Sequence, residues 1–248
     1  MDDPEALDSL LDAFLTLEGN EILVHGGGKM ATSVANQLGI KTQMVAGRRI
    51  TDEQMLQVAM MVYGGYMNKQ LVCRLQAKGT QAIGLTGADG NVIRAHKRPV
   101  KDIDYGFVGD IDEVDANFLQ RLIAQSIVPV MAPLTHDGKG QMLNTNADTI
   151  ATVVAKAMSE SHEVRLIFAF ERPGVLLDPN DDKSWIKILG QNLAHKYQEE
   201  GIIAAGMIPK LTNGFDAITS GVNKVLICQS HSLPLIGTAD FVGTELIA

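Results

Sequence analysis

Short apolar runs alternate along the chain with longer stretches in which apolar residues recur every three or four positions. The runs at 21–25 (EILVH), 81–85 (QAIGL), 126–131 (SIVPVM), 164–170 (VRLIFAF) and 224–228 (KVLIC) each end near glycine, proline or a polar loop. They are mostly continuous rather than alternating in polarity, which predicts parallel strands covered on both faces. Helices are predicted at residues 4–17, 28–38, 52–78, 115–124, 147–159 and 210–220. In the first of these Leu7, Leu10, Leu11, Phe14 and Leu15 share one side. Strand-then-helix order repeated in this way predicts an α/β fold with a doubly wound, mainly parallel central sheet sandwiched by helices. Residues 91–96 and 105–111 break the rhythm and read as a β-hairpin projecting from a strand end. The lobe boundary is expected near 159–163, which divides the chain into lobes at 1–160 and 161–248.

Charge and composition remove several function classes. The 248 residues carry 29 acidic and 21 basic side chains, a net charge of −8. A nucleic-acid partner is not expected, because its binder would present a basic face to phosphates. With 46% apolar and 20% charged residues the chain is too hydrophobic for disorder. No apolar run approaches the roughly 20 residues that span a bilayer, and the start, Met1-Asp2-Asp3, is acidic where a signal peptide is basic. Cys73 and Cys228 make no metal spacing, so a reduced, cytoplasmic protein without a membrane partner is expected.

Five segments carry candidate chemistry. His25-Gly26-Gly27-Gly28 joins a strand end to a helix start, either as a tight turn or as a cradle in which backbone N–H groups approach an anion. Neither G-x-G-x-x-G nor G-x-x-x-x-G-K-[ST] occurs. Residues 47–52 (GRRITD) offer Thr51 or Asp52 as a helix cap and an arginine able to grip a carboxylate; a solvated arginine pair is the plainer reading. Residues 144–148 (NTNAD) read as an Asx turn and cap, or as Asn144 and Asn146 presenting amides while Asp148 orients a lysine. Lys210 falls in the first turn of a helix, where a cation is unfavourable unless an anion binds nearby. Residues 170–178 turn at the C-terminal edge of a strand, where ligands of such sheets bind. The six histidines form no i, i+4 pair, so no protein metal site is expected, and the absence of G-x-S-x-G speaks against a serine hydrolase. Met55, Met60, Met61 and Met67 read as core or dimer contact.

Taken together, HGGG, G-R-R-I-T, G-L-T-G-A-D-G, G-F-V-G, N-T-N-A-D, P-G-V-L, G-M-I-P-K and a final G-T occur in an order and spacing that resemble the N-acetylglutamate kinase family of the amino-acid kinase superfamily, from about residue 20 to the end. The resemblance implies two lobes on one sheet, the first holding an N-acyl-L-glutamate and making the homodimer contact, the second holding ATP, with Mg²⁺ carried by the nucleotide. It implies that Gly27 and Gly28 lie at the substrate and the transferring phosphoryl group, that Arg49 grips the α-carboxylate, and that Asn144 and Asn146 serve the substrate. Asp148 would organise catalytic lysines, Lys210 would be the nucleotide-side lysine, and Gly28, Asp148 and Lys210 the catalytic set. The ATP loops would be Glu171, Arg172, Pro173, Gly174, Val175 and Leu176 with Ile202, Ile203 and Ala204. Most members carry aspartate where Glu171 stands. The hairpin at 91–111 would be the substrate lid. The family pattern opens with a strand ending in K-x-G-G; these residues contain no such motif, so one lysine fewer is expected at the reaction centre. The expected activity is ATP-dependent phosphorylation of the side-chain carboxylate of N-acetyl-L-glutamate, an early step of arginine biosynthesis. A non-catalytic acyl-amino-acid-binding relative, or a related kinase acting on UMP, are the alternatives; Arg49 and Asn144 speak against the second.

Overall fold

The computed structural model of the chain describes residues 4–45, 48–203 and 206–248. In chain order its helices and strands are α1 (Pro4–Phe14), β1 (Leu23–Val24), α2 (Gly28–Gln37), β2 (Gln43–Val45), β3 (Arg48–Ile50), α3 (Glu53–Ala59), a π-helical segment (Met60–Met67), α4 (Asn68–Ala77), β4 (Ala82–Leu85), β5 (Ile93–Lys97), β6 (Gly109–Val114), α5 (Ala116–Ile123), β7 (Val128–Met131), β8 (Leu134–His136), β9 (Met142–Asn144), α6 (Ala147–Ser159), β10 (Arg165–Phe170), β11 (Ile188–Gly190), α7 (Gln191–Glu199), α8 (Ile208–Thr219), β12 (Lys224–Gln229) and β13 (Gly243–Ile247). Among the described residues no helix is long and apolar enough to cross a membrane.

Gly19–Ile150 form one compact unit. Its parallel sheet has the order β1–β7–β4. Every residue of the central strand β7 is buried, which is why its sequence, VPVM, shows no polar alternation. Helices α4 and α5 pack against it. The helix expected over 52–78 is not uniform: α3 widens into π-helical turns at MMVYGGYM before α4 resumes. Gly64 and Gly65 weaken helix propensity there. A β carbon on Gly64 would stand 3.2 Å from Leu134 Cδ1, so the wide turn also lies close against β8. The core beneath it is built from Met55, Val58, Val62, Tyr63, Met67 and Leu134.

The expected hairpin is present as the antiparallel pair β5–β6, with a bulge between Arg94 and Ala95. It does not project alone. It belongs to a four-stranded sheet of order β6–β5–β8–β9. Strands β8 and β9, and the β2–β3 hairpin, have three residues each and leave too short a pattern to be read from sequence.

The second unit combines α1 with Ala151–Ala248. Its sheet has the order β10–β12–β13–β11, parallel between β10 and β12 and between β11 and β13, antiparallel between β12 and β13. Phe168, Leu189, Leu211, Phe215, Val225 and Leu246 form its core. Two features differ from the lobes drawn at 1–160 and 161–248. Helix α1 packs with the second unit, because Leu10 and Ala13 cluster with Cys228 and Leu233. The division falls inside α6 after Ile150, since Ala151 and Ala155 pack on the second core.

Candidate active site

Strand β1 continues one residue beyond its formal end, where the His25 N–H donates to Met131 O at 3.1 Å. The chain then turns through Gly26 and Gly27 into α2. No side chain caps this helix, and no acidic residue stands in its first turn, so its positive end is left to a ligand or solvent. A β carbon on Gly27 would lie 2.4 Å from Met67 Sδ and 2.9 Å from the Tyr63 ring. Glycine is therefore required because the turn is pressed onto the π-helical segment.

Arg49 on β3 reaches the same turn. Its Nη2 donates to Gly28 O at 2.9 Å and to Thr32 Oγ1 at 2.8 Å, and Nη1 lies 3.9 Å from Met55 Sδ. Burial pushes the Tyr63 hydroxyl above its ordinary pKa, while the charge and hydrogen bond of Arg49 pull it back. Among the described residues the partners of the guanidinium are neutral groups, an arrangement suited to an incoming carboxylate.

Thr51 joins three pieces of the first unit. Its N–H donates to Tyr105 O at 2.9 Å and its carbonyl accepts from Phe107 N–H at 2.7 Å. Its side-chain oxygen accepts from Asn144 Nδ2 at 2.9 Å. The Asn144 N–H in turn donates to Phe107 O at 2.9 Å. This bond fixes the side of the Asn144 amide on which its nitrogen lies. Asp52, not Thr51, caps α3, accepting from Met55 N–H at 2.8 Å. Gly27, Gly28, Arg49 and Asn144 are therefore linked through backbone and side-chain bonds on one unit. Thr32, Thr51 and Tyr63 belong to this network; Thr32 and Tyr63 drew no attention in the sequence. Thr51 alone had a signal there, as a cap candidate, and its structural use is different.

Asn146 caps α6, its Oδ1 accepting from Thr149 N–H at 3.1 Å. Asp148 stands in the first turn of the same helix, half-buried. Among the described residues no group of three His, Cys, Asp or Glu side chains converges to hold a metal ion.

The second unit carries the segments expected to hold a nucleotide. After β10, the Glu171 carbonyl accepts from Gln229 Nε2 at 2.7 Å, and Arg172 pairs with Asp182 at 2.9 Å. Pro173, Gly174 and Val175 are buried. The Val175 N–H donates to Thr244 Oγ1 at 2.9 Å, and a β carbon on Gly174 would meet that oxygen at 2.5 Å. Val175 packs into the core, and its carbonyl accepts from Ile186 N–H at 2.8 Å. Leu176 bridges to Trp185. Ile202 and Ile203 both donate to Tyr197 O, closing the end of α7. Ala204 lies outside the described residues. Lys210 occupies the first turn of α8, its ammonium 5.4 Å from the Phe170 ring centroid and 6.0 Å from that of Phe168. Two aromatic faces partly offset the unfavourable helix end beneath this cation.

The sequence profile of the amino acid kinase family matches residues 1–229. The chain is 58% identical over 233 residues to the acetylglutamate kinase of Phocaeicola vulgatus, covering 94% of this chain and 91% of that protein. It is 56% identical over 233 residues to the acetylglutamate kinase of Bacteroides fragilis, covering 94% of this chain and 89% of that one. Among solved structures it is similar to the N-acetylglutamate synthase of Neisseria gonorrhoeae in complex with coenzyme A and N-acetyl-glutamate, with a TM-score of 0.81 at 20% identity over 99% of this chain and 57% of that chain. That likeness shows a shared fold.

Proposed function

The chain belongs to the amino acid kinase family, and we propose that it transfers the γ-phosphoryl group of ATP to the side-chain carboxylate of N-acetyl-L-glutamate, giving an acyl phosphate in arginine biosynthesis. The observation that carries this reading is the bond between Arg49 and Gly28 O at 2.9 Å, which holds a guanidinium beside the glycine turn. The near-full-length relatives named acetylglutamate kinase supply the acceptor.

The chemistry asks little of a general base. A glutamate side chain is ionised at neutral pH, with a reference pKa of about 4.3. The difficulty is bringing one anion against another, which is met by N–H donors and cations around the transferring group. In this reading Arg49 holds the α-carboxylate and Asn144 accepts from the substrate amide, assisted by Asn146. The N–H groups of Gly27 and Gly28 meet the transferring phosphoryl group. Lys210 supplies a cation on the nucleotide side, and Asp148 a carboxylate on the substrate side. ATP takes the loops at 171–176 and 202–204, with Glu171 where relatives carry aspartate. Mg²⁺, when present, neutralises phosphate charge and enters with the nucleotide. The protein acts as a cytoplasmic homodimer in this account. Met61 and Tyr66, 54% and 59% exposed on the π-helical segment, support the pairing of two copies.

A coupled assay of ADP release tests the reading. Turnover should depend on N-acetyl-L-glutamate. Lys210→Ala should lower kcat by about 10²–10³ with little change in the KM for that substrate. Equal losses in both parameters would remove Lys210 from the transfer step.

A further inference from the structure

Behind the glycine turn lies a set of buried polar groups that the proposed chemistry does not use. His25 is 3% exposed and Asn68 is 1% exposed. His25 Nδ1 is 2.8 Å from Gly26 O, and Nε2 is 3.2 Å from Asn68 Nδ2. Asn68 Nδ2 also donates to Val130 O at 2.8 Å. Lys69 Nζ donates to Asn68 Oδ1 at 3.1 Å and to Gly84 O at 3.2 Å. A β carbon on Gly84 would fall 1.8 Å from Asn68 Oδ1, so the amide lies flat on β4 at a position only glycine allows.

The donor and acceptor roles are determined by the partners. Val130 O and Lys69 Nζ fix which end of the Asn68 amide is nitrogen. Its second N–H then points at His25 Nε2, which must accept. Gly26 O can only accept, so the His25 proton sits on Nδ1. Burial lowers the pKa of the ring below its ordinary 6.5, more than the Gly26 bond raises it, in keeping with a neutral imidazole. Every bond in the series therefore runs one way, from the Lys69 ammonium to the Gly26 carbonyl.

We propose that His25 is a positioning residue for phosphoryl transfer: the donor series Lys69–Asn68–His25 ends on Gly26 O, fixes the Gly26–Gly27 peptide, and polarises it so that the Gly27 N–H becomes a stronger donor to the transferring group. The inference rests on the functional reading above. Bonds in series reinforce one another in a low-dielectric interior, and the carbonyl and N–H of one peptide are polarised together.

Nitrogen-15 NMR of the full-length protein at neutral pH, with kinetics of three variants, tests it. The expected spectrum shows His25 protonated at Nδ1 and bare at Nε2; the opposite tautomer overturns the proposal. His25→Asn keeps an N–H near the Nδ1 position and should retain kcat within about five-fold, whereas His25→Leu should lose on the order of 10–100-fold in kcat with KM nearly unchanged. Equal kcat in these two folded variants would overturn it. Lys69 is exposed, so Lys69→Met tests the far end without disturbing the core: several-fold lower kcat at unchanged Tm supports the series, and unchanged kcat overturns its polarising role. Should His25→Leu not fold, the spectrum and Lys69→Met decide. If the wild-type protein phosphorylates no N-acetyl-L-glutamate, the functional reading fails, while the tautomer still tests the hydrogen-bond series.

Discussion

Arg49 serves two neighbours through one nitrogen, Gly28 O and Thr32 Oγ1, and faces no acidic partner in these bonds. A lysine cannot reproduce the planar fork. Arg49→Lys is expected to raise the KM for N-acetyl-L-glutamate by about ten-fold or more, since a charge-assisted hydrogen bond is worth about 1.5–3 kcal/mol. Steady-state kinetics at saturating ATP check this, and an unchanged KM would take Arg49 out of the site. Thr51 acts one step further back. Its hydroxyl oxygen accepts from Asn144 Nδ2 at 2.9 Å and so fixes which way that amide faces. Thr51→Val keeps the volume and removes the acceptor. We expect KM to rise several-fold, the equivalent of about 1 kcal/mol, with kcat little altered. A fall in kcat alone would show that the hydroxyl does not orient substrate. Arg49 and Asn144 were visible in the sequence as residue types in suggestive places. Thr51 was visible only as a cap candidate, because its bond to Asn144 joins residues 93 positions apart in the chain.

At the scale of elements, the hairpin was legible and its fastening was not. The sequence predicts two strands near 91–96 and 105–111; β5 and β6 occupy Ile93–Lys97 and Gly109–Val114. Arg94–Glu113, His96–Asp112 and Arg98–Asp110 pair across it. The segment just before β6 is stitched to Thr51 and Asn144, so the hairpin is anchored on residues of the candidate site. Gly106 makes that stitch possible: its φ is +71°, and a β carbon would lie 2.2 Å from Thr51 O. Gly106→Ala should cost about 1–3 kcal/mol in urea unfolding and raise the KM for the amino-acid substrate. A variant as stable as the wild type with the same KM would contradict the coupling of lid and site. The π-helical segment was read as plain helix because apolar periodicity at this resolution does not separate 3.6 from wider turns. Its GG pair was the available signal, and its consequence is the seat that Tyr63 and Met67 form under Gly27.

Over the whole molecule, the strands read from continuous apolar runs, β1, β4, β7, β10 and β12, each have a parallel neighbour, but so do β11 and β13, which no such run announced. Strand β13 and helix α7 escaped notice because GTELI is short and α7 buries only Ala194 among the residues of its apolar face. Helix α1 shows the limit of reading domains along a chain. Its amphipathic pattern was plain, yet the surface it covers is made by Cys228 and Leu233, far away in sequence. Burial in that cluster pushes the Cys228 thiol up to about 12, which leaves it inert at physiological pH. The glycine turn, Arg49, Asn144 and Lys210 were visible as candidates in the sequence because each combines an unusual residue with a helix or strand end. The hydrogen bonds that aim them were not. The central claim is that the chain moves a phosphoryl group onto a carboxylate. Trapping the product with hydroxylamine tests it most directly: with ATP and N-acetyl-L-glutamate the protein should yield one acyl hydroxamate for each ADP formed. ADP release without hydroxamate, or no reaction at all, would contradict the account.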